Sequence, residues 1–167
     1  MKSKQAITLI ELLVLFTIVA LILAVVLPVV DRGRPVSSVA CKSYLRQIAV
    51  GAYLYLKENK ELPPKDTWTD ELHKYMVVTF PFRCPGAPKD VRCSYAINRY
   101  LPEYTEPNQL PQDLVLFFEI EGGWNVAGGP ELLYFDNHNG RANVAFTDGR
   151  VELITLEQVN TLRWKSE

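Results

Sequence analysis

The chain has 167 residues, 48% of them hydrophobic, and 18 basic against 19 acidic side chains give a formal net charge of −1. That balance provides no global basic field, so no nucleic-acid partner is expected. Beyond the first thirty residues about 137 remain, enough for one domain of ordinary size.

Lys2 and Lys4 precede an apolar run from Ile7 to Val30, ITLIELLVLFTIVALILAVVLPVV, which is interrupted by one carboxylate, Glu11. At about 1.5 Å per residue a helix of this length reaches across a hydrocarbon core of about 30 Å. Basic residues ahead of a first span hold that end in the cytoplasm. A single-pass topology with the remainder exported is therefore expected. The run exceeds the roughly 7–15 apolar residues of a cleaved secretory signal. Ser38-Val39-Ala40-Cys41 has the outline of a lipoprotein box, but Ser38 stands where Leu or Val is needed. The polar stretch Asp31-Arg32-Gly33-Arg34 also separates it from the run. A carboxylate near the centre of a span costs about 2.5–3.5 kcal/mol. Glu11 lies near the start of the run, where the cost is smaller but a partner is still required.

After a breaker-rich junction ending at Pro35, a helical pattern runs from Ser37 to Glu58 with Ser37 or Ser38 as N-cap. Leu45, Ile48, Ala49, Ala52 and Leu56 recur at helical spacing and mark its buried stripe. Leu62-Pro63-Pro64 ends it. A short helix is expected over 67–76, with Trp68, Leu72 and Tyr75 facing inward. Expected strands follow at 94–97, 114–120, 132–135, 142–146 and 151–155, with a closing helix over 156–162. Asp148-Gly149 between the last two strands is a strong hairpin signal. The organisation expected is 1–6 leader, 7–30 membrane helix, 31–62 helix continuation, and 63–167 globular domain.

The segment Ala6-Ile7-Thr8-Leu9-Ile10-Glu11-Leu12-Leu13 resembles the N-terminus of type IV prepilins and type II secretion pseudopilins. In that family a prepilin peptidase cuts before an apolar residue that is then N-methylated, the fifth mature residue is Glu, and Pro often stands twenty-second. The resemblance places the cut between Ala6 and Ile7, methylation on Ile7, and assembly roles on Glu11 and Pro28. Ala6-Ile7 departs mildly from the common Gly-Phe pair. Cleavage would create an ammonium at Ile7, and Glu11 would pair with the ammonium of a neighbouring subunit in low dielectric. His138, followed after nine residues by Asp148-Gly149, resembles the C-terminal H-X9-DG region of a large group of prepilin-like proteins. Cys41 with Leu45-Arg46-Gln47-Ile48, Phe82-Arg83-Cys84-Pro85, Ser94-Tyr95-Ala96-Ile97-Asn98 and Phe118-Glu119 agree with the same group.

The resemblance implies an α+β, pilin-like fold. Its long kinked N-terminal helix has a transmembrane first half and packs on a small antiparallel sheet. It further implies a structural subunit of a type IV pilus or type II secretion pseudopilus in the bacterial inner membrane. Its partners would be prepilin peptidase and other pilin-like subunits. The alternative is a monomeric, membrane-tethered extracytoplasmic binding module, using loops such as Glu121-Gly122-Gly123-Trp124 to hold a glycan.

Other constellations are weak. Asp136, Asn137, Asn139 and Asp148 around His138 offer oxygens suited to calcium, but no Asp-x-Asp-x-Asp-Gly loop is present and His is a poor calcium ligand. The expectation is no cofactor. His138 would hydrogen-bond backbone and hold its loop against the hairpin, with Asp148 a turn former. Glu119 and Glu121 alternate on one strand and read as solvated. No serine elbow, phosphate loop or zinc spacing is present, so no enzymatic activity is expected. Export permits disulfides. Cys84 and Cys93 enclose eight residues and could close a small loop; Cys41–Cys84 or Cys41–Cys93, tying helix to domain, are the other pairings.

Overall fold

The stripe Leu45, Ile48, Ala49, Ala52 and Leu56 is fully buried, and the helix that carries it organises the domain. The computed structural model describes residues 9–30, 33–76, 82–102 and 110–166, with the side chains of 25–37 left out. The chain divides into two units, Met1–Arg34 and Pro35–Glu167.

In the first unit, helix α1 spans Leu9–Val30. Every side chain described on it, from residue 9 to 24, is exposed, including Leu9, Ile10, Phe16 and Leu21 at 67% or more. Thr17 turns its hydroxyl inward and donates to the Val14 carbonyl at 2.8 Å, which satisfies its one polar group within the helix. Among the described residues no helix is long and apolar enough to cross a membrane. The leader, with Ala6 and Ile7, lies outside the described residues. So does the side chain of Pro28, whose backbone continues the helix.

Helix α2 spans Gly33–Asn59. Pro35 falls in its first turn, where its missing N–H has no intrahelical acceptor to lose, so it starts the helix instead of breaking it. At the other end Lys60 adopts φ 62° and its N–H returns to the Leu56 carbonyl at 2.9 Å. Helix α3, Trp68–His73, is shorter than the 67–76 expected. Trp68 is fully buried and its indole N–H donates to the Val126 carbonyl at 2.9 Å.

Among the described residues five strands follow: β1 Cys93–Asn98, β2 Val115–Gly123, β3 Ala127–Gly128, β4 Arg141–Phe146 and β5 Val151–Thr155. Their order is β3-β1-β2-β4-β5. The protein is α+β, but the sheet is mixed rather than antiparallel throughout, because β3 pairs parallel with β1. The strand expected at 132–135 does not form. Pro130 cannot donate to a ladder and instead opens a 3₁₀ turn over Pro130–Leu132. The closing helix is a 3₁₀ helix, Leu156–Thr161, held by a capping box between Thr155 and Gln158.

The expected hairpin joins β4 to β5. Gly149 takes φ 81°, a left-handed conformation that favours glycine. Asp148 accepts from the Arg150 N–H at 2.8 Å.

Both faces of the sheet are covered, so β1 and most of β2 and β4 read as continuous buried runs. Tyr95, Ile97, Leu116, Phe117, Ala145 and Val151 cluster with Cys41, Leu45, Ile48 and Trp68. Ala96, Val115, Phe118, Val144 and Ile154 cluster on the other side with Trp164. Leu116 and Phe117 sit on the same side because the β2–β4 register shifts between Val115 and Phe117. Such an irregularity inverts the alternation that follows it. From that point the odd-numbered residues of β2, including Glu119, face α2.

The far face is closed by Asn98. Its buried amide donates to the carbonyls of Val115 and Trp164, both at 2.8 Å, and its oxygen accepts from the Tyr100 N–H at 3.0 Å. Asn98→Ala is expected to cost about 2–4 kcal/mol, two net hydrogen bonds plus the exposure of unsatisfied carbonyls. A lowered urea midpoint with an unchanged slope would register it.

Candidate functional site: a buried carboxylate, imidazole and disulfide

Four segments deliver one polar cluster into the seam between α2 and the sheet. Cys41 lies on the buried stripe of α2, one helical turn before Leu45. Cys84 lies in a turn whose N–H donates to Ser94 Oγ at 3.1 Å. Glu119 comes from β2. His138 ends a 3₁₀ turn, Asp136–His138. Asn139 and Gly140, at φ 55° and 79°, then reverse the chain into β4, and the Gly140 N–H closes on the Phe135 carbonyl at 3.1 Å.

Cys41 and Cys84 form a disulfide with Cα atoms 5.0 Å apart, 43 residues apart in sequence. The Cys84–Cys93 pairing favoured by proximity in the sequence does not form. Cys93 is a free, buried thiol that donates to the Tyr95 carbonyl at 3.3 Å. Burial pushes its pKa up to about 12. A loop of this length closed by a disulfide is worth about 4 kcal/mol on the chain-entropy model.

Glu119 is completely buried, against the expectation of a solvated strand residue. One carboxylate oxygen, Oε2, accepts from the Asn143 backbone N–H at 2.6 Å and from the Asn143 amide at 3.1 Å. The other, Oε1, lies 2.9 Å from His138 Nε2. That same nitrogen lies 3.4 Å from Cys84 Sγ. His138 therefore contacts a carboxylate and the disulfide rather than the backbone partner expected of it. Its Nδ1 is buried with no hydrogen-bond partner among the described residues. Tyr95, opposite Glu119 in the sheet, reaches the Cys41 carbonyl with its hydroxyl at 3.4 Å. Burial, and then the nearby Glu119 charge, hold the Tyr95 phenol well above its ordinary pKa.

Asp148 and Gly149 belong to the hairpin turn; the Asp148 carboxylate is taken by Arg150. Glu121 is exposed and shares no bond with Glu119. Glu11 is exposed in the first turn of α1. Asn143 is the residue missed by sequence reasoning; Glu119 was read as solvated instead of buried, and Cys41–Cys84 is one of the pairings that the sequence left open. The signal available was a lone carboxylate within the otherwise apolar stretch Leu114–Ile120.

A separate cleft of about 540 Å³ is lined by His73, Phe82, Arg83, Lys89, Arg92 and Trp124. The Trp124 indole N–H donates to Asp70 at 2.9 Å, and the Arg92 guanidinium lies 4.3 Å from the centre of its ring. Hydrogen bonds from Asn125 and Trp124 lower the Asp70 pKa.

Comparison with protein-family models, curated proteins and solved structures finds no match to this chain.

Removing the Glu119 carboxylate strands the Asn143 N–H, the Asn143 amide and His138 Nε2 in a buried seam. Glu119→Ala is expected to lose about 3–5 kcal/mol in urea unfolding. Glu119→Gln, which keeps an acceptor for Asn143, should lose less. Under non-reducing conditions Cys41 and Cys84 are expected in one linked peptide pair by mass spectrometry. Cys93 should resist iodoacetamide until the chain is unfolded.

Proposed function

We propose that the chain is a pilin-like structural subunit, matured by prepilin peptidase and assembled into a type IV pilus or a type II secretion pseudopilus. The observation that carries this reading is α1, whose described side chains, residues 9–24, are exposed all round and apolar but for Glu11 and Thr17. An apolar surface of that extent needs lipid or other helices to cover it. In this reading the inner membrane covers it before assembly and neighbouring copies of the same helix cover it afterwards. The α+β domain is carried outside the membrane as the head of the subunit, and the first half of a kinked N-terminal helix is its anchor.

The chemistry of assembly follows from the spacing of the first thirty residues. Cutting between Ala6 and Ile7 removes Lys2 and Lys4 and leaves an ammonium on Ile7, the residue then methylated. Glu11 stands one helical turn further on. Its carboxylate and a neighbour's ammonium are attractive in low dielectric, so the pair sets the axial register of one subunit against the next. Pro28 removes one helical N–H donor and permits the local disruption that close bundling requires.

The second reading, a tethered binding module, draws on the cleft beside Trp124. Arg83, Lys89 and Arg92 give it a positive lining suited to an acidic glycan.

Coexpression with prepilin peptidase separates the two. The pilin reading expects a mature chain beginning at N-methylated Ile7, and Glu11→Ala should be cut normally yet fail to enter filaments. An uncut Met1 terminus would overturn it and leave the tethered module.

A further inference from the structure

We propose that Cys41, Cys84, Glu119 and His138 form a tetrahedral zinc(II) site when the Cys41–Cys84 bond is reduced. The same four side chains would then join α2, β2 and the turns that carry Cys84 and His138 either through a disulfide or through a metal dithiolate.

The donor set is already assembled. The two sulfurs, one carboxylate oxygen and one imidazole nitrogen all lie within 4.8 Å of one another, and all four residues are buried. Zinc bonds of about 2.0–2.3 Å in a tetrahedron place neighbouring donors about 3.3–3.8 Å apart. His138 Nε2 lies 3.4 Å from Cys84 Sγ and 2.9 Å from Glu119 Oε1. A tetrahedron needs the two sulfurs to separate once their bond is broken, Nε2 and Oε1 to part from 2.9 Å, and any pair as wide as 4.8 Å to close by about 1 Å.

The chemistry selects the metal. Two thiolates and an imidazole suit zinc, whereas calcium and magnesium prefer oxygen throughout. The outer contacts also fit. Asn143 holds Oε2 of Glu119 from two directions and leaves Oε1 turned toward His138. The Gly86 N–H donates to Cys84 Sγ at 3.4 Å, a contact that favours a thiolate there. Two thiolates and one carboxylate carry three negative charges, of which zinc cancels two. Four protein donors in a buried site leave no open coordination position, which makes the centre structural rather than catalytic.

The interconversion balances. A dithiol reductant breaks the S–S bond, gives two electrons and two protons to the Cys41 and Cys84 sulfurs, and becomes a disulfide itself. Zinc uptake releases those two protons to solvent and forms two Zn–S bonds. The Nε2 lone pair becomes available when the ring proton resides on Nδ1. Reoxidation passes two electrons from the two cysteine sulfurs to a disulfide oxidant, which takes up two protons from solvent and becomes a dithiol, while the Cys41–Cys84 bond re-forms and zinc(II) is released.

Cobalt(II) is the probe. The full-length chain, solubilised in detergent and reduced with a metal-free phosphine, is titrated with cobalt and then with zinc. One equivalent of cobalt should produce tetrahedral ligand-field bands and a thiolate charge-transfer band, both abolished by zinc, while the oxidised chain gives neither. Cys93→Ser should bind as the parent does, and the Cys41→Ser/Cys84→Ser double variant should not bind. Glu119→Gln should weaken binding by more than about tenfold. A reduced chain that keeps its circular dichroism but binds no metal overturns the proposal. So does one that unfolds and is not refolded by zinc, or a double cysteine variant that retains the same bands.

Discussion

A carboxylate buried between a helix and a sheet must be satisfied completely, and Glu119 is the group around which this domain has to be arranged. Its two oxygens face different parts of the molecule. Oε2 is committed to the neighbouring strand through Asn143, and Oε1 faces the His138 turn. The sheet, the loop that re-enters it and the disulfide behind the imidazole are thus held by one side chain. An apolar residue of similar volume would fill the same space without fixing the loop. The polar cluster specifies which loop conformation closes the seam, a use of buried polarity that costs stability elsewhere.

The direction in which Glu119 points is set two residues earlier. The register shift at Val115–Phe117 places two consecutive side chains, Leu116 and Phe117, on the α2 side and reverses the alternation after them. A regular strand would turn Glu119 toward Trp164 and send Phe118 into the helix seam. The irregularity is therefore what brings a strand carboxylate, a helical cysteine and a loop histidine together.

Much of the scaffold was legible in the sequence because it rests on local rules. The stripe on α2, the Asp148-Gly149 hairpin and the cores of β1, β2, β4 and β5 follow from periodicity and turn chemistry over a few residues. The features missed or left open depend on long-range geometry or on one local exception. Cys84 pairs with Cys41, 43 residues away, and not with the nearer Cys93, because strand β1 turns Cys93 to its own backbone acceptor. The short apolar run of 132–135 lost to Pro130. The parallel partner of β1 is only two residues long, too short for any periodicity to show. Glu119 looked solvated because charge was read without the neighbours that neutralise its cost.

The position of the disulfide governs how the globular unit responds to mechanical force. Cys41 lies six residues beyond Pro35, where that unit begins. Tension applied through the N-terminal segment against the C-terminus passes along the chain to Cys41 and then crosses the covalent bridge to Cys84. The intervening loop, which includes most of α2 and all of α3, is bypassed and carries no tension while the bridge is intact. The buried stripe of α2, which lies beyond Cys41, would be shielded from unzipping, and the pull would fall on the first turns of α2, up to Cys41, and then on the sheet.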